Sequence, residues 1–179
     1  MSGRRVVVTG LGIVAPVGLT VKTAWENILA GNSGIQPITH FDVEPFSVRF
    51  GGPIYGFDIT EYISLKDSRK MDKFIHYGMA AGCQAIEDSG LPITEQTAPR
   101  IGVAIGAGIG GITGIENSYG AYLEGGPRKI SPFFVPANIV NMVAGNLSIK
   151  YGLKGPNYSI VSACSTGTHN IGEAAHMIR

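Results

Sequence analysis

Charged side chains are scarce in this chain: Asp, Glu, Lys and Arg make up 15% of its 179 residues, against about 25% in a typical soluble domain. Hydrophobic residues reach 44%, enough apolar surface to offset conformational entropy, so disorder is excluded. The formal net charge is +1, which excludes a global pull toward nucleic acid or an anionic membrane surface. Cysteine is equally sparse. Cys83 and Cys164 are too few for the disulfide framework of a small secreted domain, and the N-terminus lacks the apolar core and cleavage site of a signal peptide. A reducing, cytoplasmic setting is expected. The shortage of charge further implies surface hidden against another chain or against residues outside this sequence.

The 26 glycines are about twice the usual share of roughly 7%, without the three-residue period that collagen needs. The longest uncharged run, Ile130 to Ile149, matches a bilayer span in length. It holds Ser131, Pro132, Pro136, Asn138, Asn141, Asn146 and Ser148, so it is expected to be buried in protein. Length suggests one domain over 1–179.

Arg4 to Thr9, with three consecutive valines, reads as a buried strand. Thr20 is a candidate N-cap for a helix from Val21 to Ala30 that Gly31 closes. Residues 32–63 read as mostly irregular. From Asp67 to Ser89 the positions Met71, Phe74, Ile75, Gly78, Gly82, Ala85, Ile86 and Ser89 keep the steps of three and four of an amphipathic helix, stopped by Gly90. A second strand is expected over Ile101–Ile105, helices over Ile112–Leu123 and Ala137–Lys150, a third strand over Asn157–Val161, and a last helix from Thr166 to Arg179. This alternation points to an α/β protein with a largely parallel sheet.

Two glycine clusters imitate a dinucleotide site: Gly106, Gly108 and Gly111 after a strand, and Gly10, Gly12 and Ala15 in a looser form. The first has Glu124 at the far end of a helix where a ribose-holding acid should end a second strand, and Pro16 interrupts the second. Close packing of backbone is the favoured explanation.

Cys164 stands between a strand and a helix in Ser162-Ala163-Cys164-Ser165-Thr166-Gly167. A helix N-terminus favours thiolate over thiol, and its free N–H groups can receive an oxyanion. Local pattern alone leaves open the alternative of a small buried hydrophobe, which suits Cys83 in mid-helix. Gly167, Ile171, Ala174, Ala175 and Ile178 share one face of the following helix and Gly172 keeps another side small, so this helix is expected to be packed all round with its thiol in a dry environment. His169 lies five residues on, about 140° around the axis and roughly 7.5 Å along it, turned away from the sulfur. His176 is about 18 Å along the same axis. The sequence does not place His40 or His76, so the nucleophile has no evident base.

The run from Gly155 to Gly167, GPNYSIVSACSTG, continued by His169-Asn170-Ile171-Gly172, resembles the active-site segment of the elongating β-ketoacyl-acyl-carrier-protein synthases. RRVVVTGLG from Arg4 to Gly12, Arg69-Lys70-Met71-Asp72 and GGPRKISPFFVP from Gly125 to Pro136 resemble the type II branch of bacterial fatty acid synthesis. The resemblance runs from end to end. It implies the layered thiolase-like fold, α/β/α/β/α in the whole enzyme, of which this chain is the N-terminal half: a mixed, largely parallel sheet and a buried central helix after the nucleophile. It implies that Cys164 takes an acyl group from acyl carrier protein as a thioester. Malonyl carrier protein then loses carbon dioxide and its carbanion attacks that thioester. Ala163 would flank the thioester, Ile109 floor the acyl channel, and Phe134 reach the partner subunit's channel across a homodimer. Lys66, Arg69, Lys70, Arg128 and Lys129 match the basic surface that docks the carrier.

By spacing, Lys66, Arg69, Lys70 and Lys73 follow i, i+3, i+4, i+7, one face of a continuous helix with Asp67 and Asp72 turned aside. The resemblance implies no cofactor or metal, and no nucleic-acid or membrane partner. It puts two catalytic histidines, a lysine and the second oxyanion donor beyond Arg179, so residues 1–179 alone are expected to acylate Cys164 at most, without condensing. The alternatives are a dimerising or carrier-binding module without catalysis, and a thiolase-superfamily acyltransferase of another branch.

Overall fold

A computed structural model describes residues 3–179. Its centre is the crossing of two helices that the sequence makes smooth where they meet. Helix α3 (Lys73–Ser89) and helix α6 (Met142–Tyr151) pack with Gly78 against Val143 and Gly82 against Leu147. Ile75, Met79 and Cys83 from α3 and Val143, Ala144 and Leu147 from α6 form the core, with Val103 and Leu153 closing it. The buried stripe of α3 is therefore 75-79-83, and Cys83 is the small buried hydrophobe that its mid-helix position suggested.

The remaining helices are α1 (Val21–Leu29), α2 (Leu65–Ser68), α4 (Ile112–Gly125), α5 (Phe134–Asn138) and α7 (Thr166–Ile178). Thr20 caps α1 in a reciprocal pair with Thr23. Two short ladders accompany them. Strand β3 (Val103–Ala104) pairs in parallel with β4 (Asn157–Tyr158), while β1 (Gln36–Pro37) pairs antiparallel with β2 (Phe50–Gly51) inside the stretch expected to be irregular. The architecture is α/β, as the alternation suggested, but where that alternation pointed to a largely parallel sheet the described residues form two separate two-stranded ladders, one parallel and one antiparallel.

Several expectations need correction. Arg4–Thr9 forms no strand and has no ladder partner among the described residues, and Val7 is 72% exposed. The segment after it is held on α3 by side chains: Leu11 N–H donates to Asp88 Oδ2 and Ile13 N–H to Gln84 Oε1. Gly10 and Gly12 lie where any Cβ would overlap the Ala85 and Ala81 carbonyls of α3, so that cluster is close packing. The expected 67–89 helix is two helices. Ser64 caps α2, Asp72 caps α3 at Phe74 N–H, and the chain turns between them. The expected 137–150 helix is also divided, because Ile139 is extended and the Asn138 amide bonds back to the Phe134 carbonyl. In the uncharged run Val143, Ala144 and Leu147 are buried. No helix among the described residues is long and apolar enough to cross a membrane.

Candidate active site

Cys164 sits in a single 3-10 turn, Ala163–Ser165, between β4 and α7. Ala163 has φ 52°, the sole positive φ at a non-glycine among the described residues. Left-handed backbone with a Cβ costs roughly 1–3 kcal/mol and persists only where neighbours hold it. The neighbours here are side chains of α7. Asn170, nearly fully buried, accepts from Ile160 N–H (3.1 Å) and donates to the Ile160 and Thr166 carbonyls (2.9 and 2.8 Å). Thr166 Oγ1 accepts from Ser162 N–H at 2.9 Å, and Ser165 N–H donates to Ser162 O at 3.1 Å. Ser162 Oγ and His169 Nδ1 are 2.6 Å apart.

These anchors correct two expectations. The buried side of α7 is the Thr166–Asn170 stripe, while Ile171 on the supposed core face is 71% exposed. Helical periodicity separates faces without saying which one turns inward, and the polar anchors decide it here. Consequently neither the helix nor Cys164 is enclosed within this chain: the thiol is exposed. The His169 ring, expected to turn away from the sulfur, meets Ser162, two positions before Cys164.

The glycine cluster joins this turn to the rest of the site. A Cβ on Gly106 would overlap the Ile160 carbonyl, and one on Gly108 would lie 3.5 Å from Ala163 O. At the other end Gly111 N–H donates to Asn138 O at 2.9 Å. The stretch is thus wedged between the nucleophile turn and α5. Ile109, one residue from the Gly108 contact, is 70% exposed at its apex. Ala163 is exposed beside Cys164. Phe134 is half-buried at the start of α5, with its carbonyl taken by Asn138.

The basic residues are gathered differently from the expected stripe. Lys66 lies in α2, Arg69 ends it, Lys70 lies in the turn and Lys73 opens α3. Asp67 is not turned aside: its Oδ1 is 3.1 Å from Lys70 Nζ, and the Ser64 hydroxyl, then Lys70, hold its carboxyl below the usual range. Asp72 ties the region together, accepting from Phe74 and Gly114 N–H (3.2 and 2.8 Å) and donating its own N–H to Ala137 O. Lys70 Nζ lies 5.6 Å from the centre of the Phe133 ring. A cavity of about 340 Å³ lies between Arg69, Lys70 and Lys73 on one side and Ser131, Phe133 and Phe134 on the other. Arg128 and Lys129 are exposed in a 3-10 turn that precedes Ser131 and Phe133 in the chain. No group of three or more metal-ligating side chains occurs among the described residues.

Comparison with known proteins identifies the family. The family profile described as Beta-ketoacyl synthase, N-terminal domain, matches residues 3–179. The chain is 62% identical over 178 residues to 3-oxoacyl-[acyl-carrier-protein] synthase 2 of Vibrio cholerae, covering 99% of this chain and 43% of that protein. The protein of the same name from Coxiella burnetii is 55% identical over equal shares. The chain thus spans under half the length of these curated relatives. Among solved structures, a β-ketoacyl synthase from Burkholderia phymatum superposes with TM-score 0.82 at 28% identity, over 98% of this chain and 43% of that one. A type II PKS acyl-carrier protein in complex with its ketosynthase gives 0.79 at 26% identity, over 95% and 45%. The fold is thus the thiolase-like fold of ketosynthases. The chain belongs to the β-ketoacyl synthase family, and its residues 3–179 match that family's N-terminal domain.

Proposed function

We propose that the protein carrying this chain is a β-ketoacyl-acyl-carrier-protein synthase of fatty acid elongation, with Cys164 as its nucleophile. The observation that carries this is the exposed Cys164 on its strained turn ahead of α7, in a chain 62% identical to a 3-oxoacyl-[acyl-carrier-protein] synthase 2. The Cys164 sulfur forms a bond to the acyl carbon, the carrier thiol leaves, and the proton lost by Cys164 ends on that thiol. Malonyl carrier protein next loses carbon dioxide, its carbanion bonds to the acyl carbon, and the Cys164 thiolate departs. Ala163 flanks the thioester, Ile109 floors the acyl channel, and Phe134 extends into the channel of a second copy in a homodimer.

Lys66, Arg69, Lys70, Arg128 and Lys129 dock the acidic carrier, and complementary charge there acts mainly on encounter rate and orientation. Residues 1–179 alone stop at the acyl-enzyme. His169 Nδ1 is engaged by Ser162, His76 Nε2 lies 2.9 Å from Ser68 O, and His40 packs edge-on against Phe41. We place the enzyme in the cytoplasm.

The test is single-turnover acylation with an acyl carrier protein thioester, followed by malonyl carrier protein. An adduct mapped to Cys164, released as β-ketoacyl carrier with loss of carbon dioxide, is expected from the full-length protein. Transfer to coenzyme A with no use of carrier protein would replace elongation by another acyl transfer. Steady turnover by residues 1–179 alone would overturn the division of labour.

A further inference from the structure

We propose that Ser162 and His169 form a positioning pair that holds the Cys164 turn in its reactive shape. The inference rests on Cys164 being the nucleophile. Ser162 is the residue immediately before the strained Ala163, and each of its three polar groups is tied to the start of α7. Its N–H donates to Thr166 Oγ1, its carbonyl accepts from Ser165 N–H, and its Oγ lies 2.6 Å from His169 Nδ1. The first two bonds lie within the turn itself. The third reaches the second turn of the helix, so it fixes the angle between the incoming strand and α7.

That angle decides where the sulfur sits. Cys164 follows Ala163, whose left-handed φ of 52° would relax toward ordinary backbone if the residue before it could rotate. Such a rotation swings the sulfur relative to the N–H groups at the head of α7. The pair touches no substrate and supplies no proton; it acts through the backbone of Ala163. His169 is exposed on α7, so its ring is not held by core packing, and the hydrogen bond to Ser162 is the polar contact that gives it a fixed place.

The experiment uses the full-length protein and an octanoyl-pantetheine thioester as probe, following the adduct on Cys164 by intact mass and peptide mapping, with thermal unfolding in parallel. Ser162→Ala and His169→Ala should each lower the limiting acylation rate about ten- to a hundredfold, with the half-saturating thioester concentration within about twofold of the parent. The double variant should be no slower than either single one, since both remove the same bond.

His169→Asn puts an amide nitrogen where Nδ1 stood and should recover most of the rate, whereas His169→Gln puts it where Nε2 stood and should not. That Asn against Gln contrast decides the matter even if the alanine variants fail to fold, because the two differ in where the amide nitrogen sits and the parallel thermal unfolding accounts for their different helix propensities. Rates within twofold of the parent for His169→Ala and Ser162→Ala, losses that multiply in the double variant, or equal rates for Asn and Gln would each overturn the pairing. If the parent carries its adduct elsewhere than Cys164, the nucleophile assignment fails and the pairing with it. An intact Cys164 adduct with indifferent variants refutes the pairing alone.

Discussion

The two cysteines of this chain occupy opposite chemical settings, one inside a helix and the other just ahead of one. Cys83 stands in the third turn of α3, buried among Ile75, Met79, Val143 and Leu147. Burial pushes its thiol pKa up, against the smaller opposing pulls of a hydrogen bond with Tyr151 and of Lys150. Cys164 lies just before α7, exposed, following a residue in left-handed conformation. A helix interior has already spent its N–H groups on its own ladder, whereas a helix start has not. Reactivity here depends on where along a helix the sulfur falls.

The largest effect expected from this contrast is on acyl transfer. Cys164→Ala should reduce thioester formation by about a thousandfold or more, because no other group can accept the acyl carbon. Cys83→Ala should leave the rate within about twofold. Intact mass after a single turnover reads both; an adduct persisting in Cys164→Ala would end the distinction.

Next in size is alkylation. Iodoacetamide at pH 7 should modify Cys164 at least about a hundredfold faster than Cys83, since the thiolate is the reacting form and Cys83 is both protonated and covered. Because the folded Cys83 pKa is raised, its contribution to stability is complete below the ordinary thiol pKa of about 8.5 and is lost as pH rises toward the folded value. Urea midpoints from pH 7 to 10 should therefore fall less steeply in Cys83→Ala than in the parent. Equal labelling of the two thiols by peptide mapping would contradict the comparison.

How much of this was visible in the sequence differs between the two regions for a physical reason. The α3–α6 core follows from local rules: Thr20 and Gly90 act as caps at their places, and Ile75 and Cys83 sit on a buried helical stripe. What failed there were helix boundaries set by single side chains, Asp72 starting α3 and Asn138 ending α5, which periodicity does not register. Around Cys164 the motif was legible, but its geometry depends on contacts between Ser162 and His169 and between Ile160 and Asn170. Such pairs join a strand end to a helix flank, and hydrophobic pattern carries no trace of them. The inward face of α7 was misassigned for this reason, since the polar Thr166 and Asn170 are the buried ones.

Stability should separate the regions in the opposite sense to reactivity. Leu147→Ala opens a cavity against Gly82 and should cost about 2–5 kcal/mol, while Ile109→Ala, on a 70% exposed side chain, should stay within about 0.5 kcal/mol. Denaturant midpoints check both. A large loss at Ile109 would mean that the glycine-rich apex is part of the folding core.

The smallest stability effect, and the one that most sharpens the division between structure and function, is expected at Lys70. Its ion pair with Asp67 is half in solvent, with side chains 35% and 53% exposed, so Lys70→Ala should change unfolding free energy by no more than about 0.5 kcal/mol. If the basic surface serves encounter with an acidic carrier, the same change should slow association with acyl carrier protein, and the deficit should shrink as salt screens both proteins. Association rates across an ionic-strength series measure this independently of the thermal midpoint. A lowered midpoint with an unchanged, salt-insensitive association rate would make Lys70 a strut between α2 and the Phe133 ring, and would shift any docking role to Lys66, Arg69, Arg128 and Lys129.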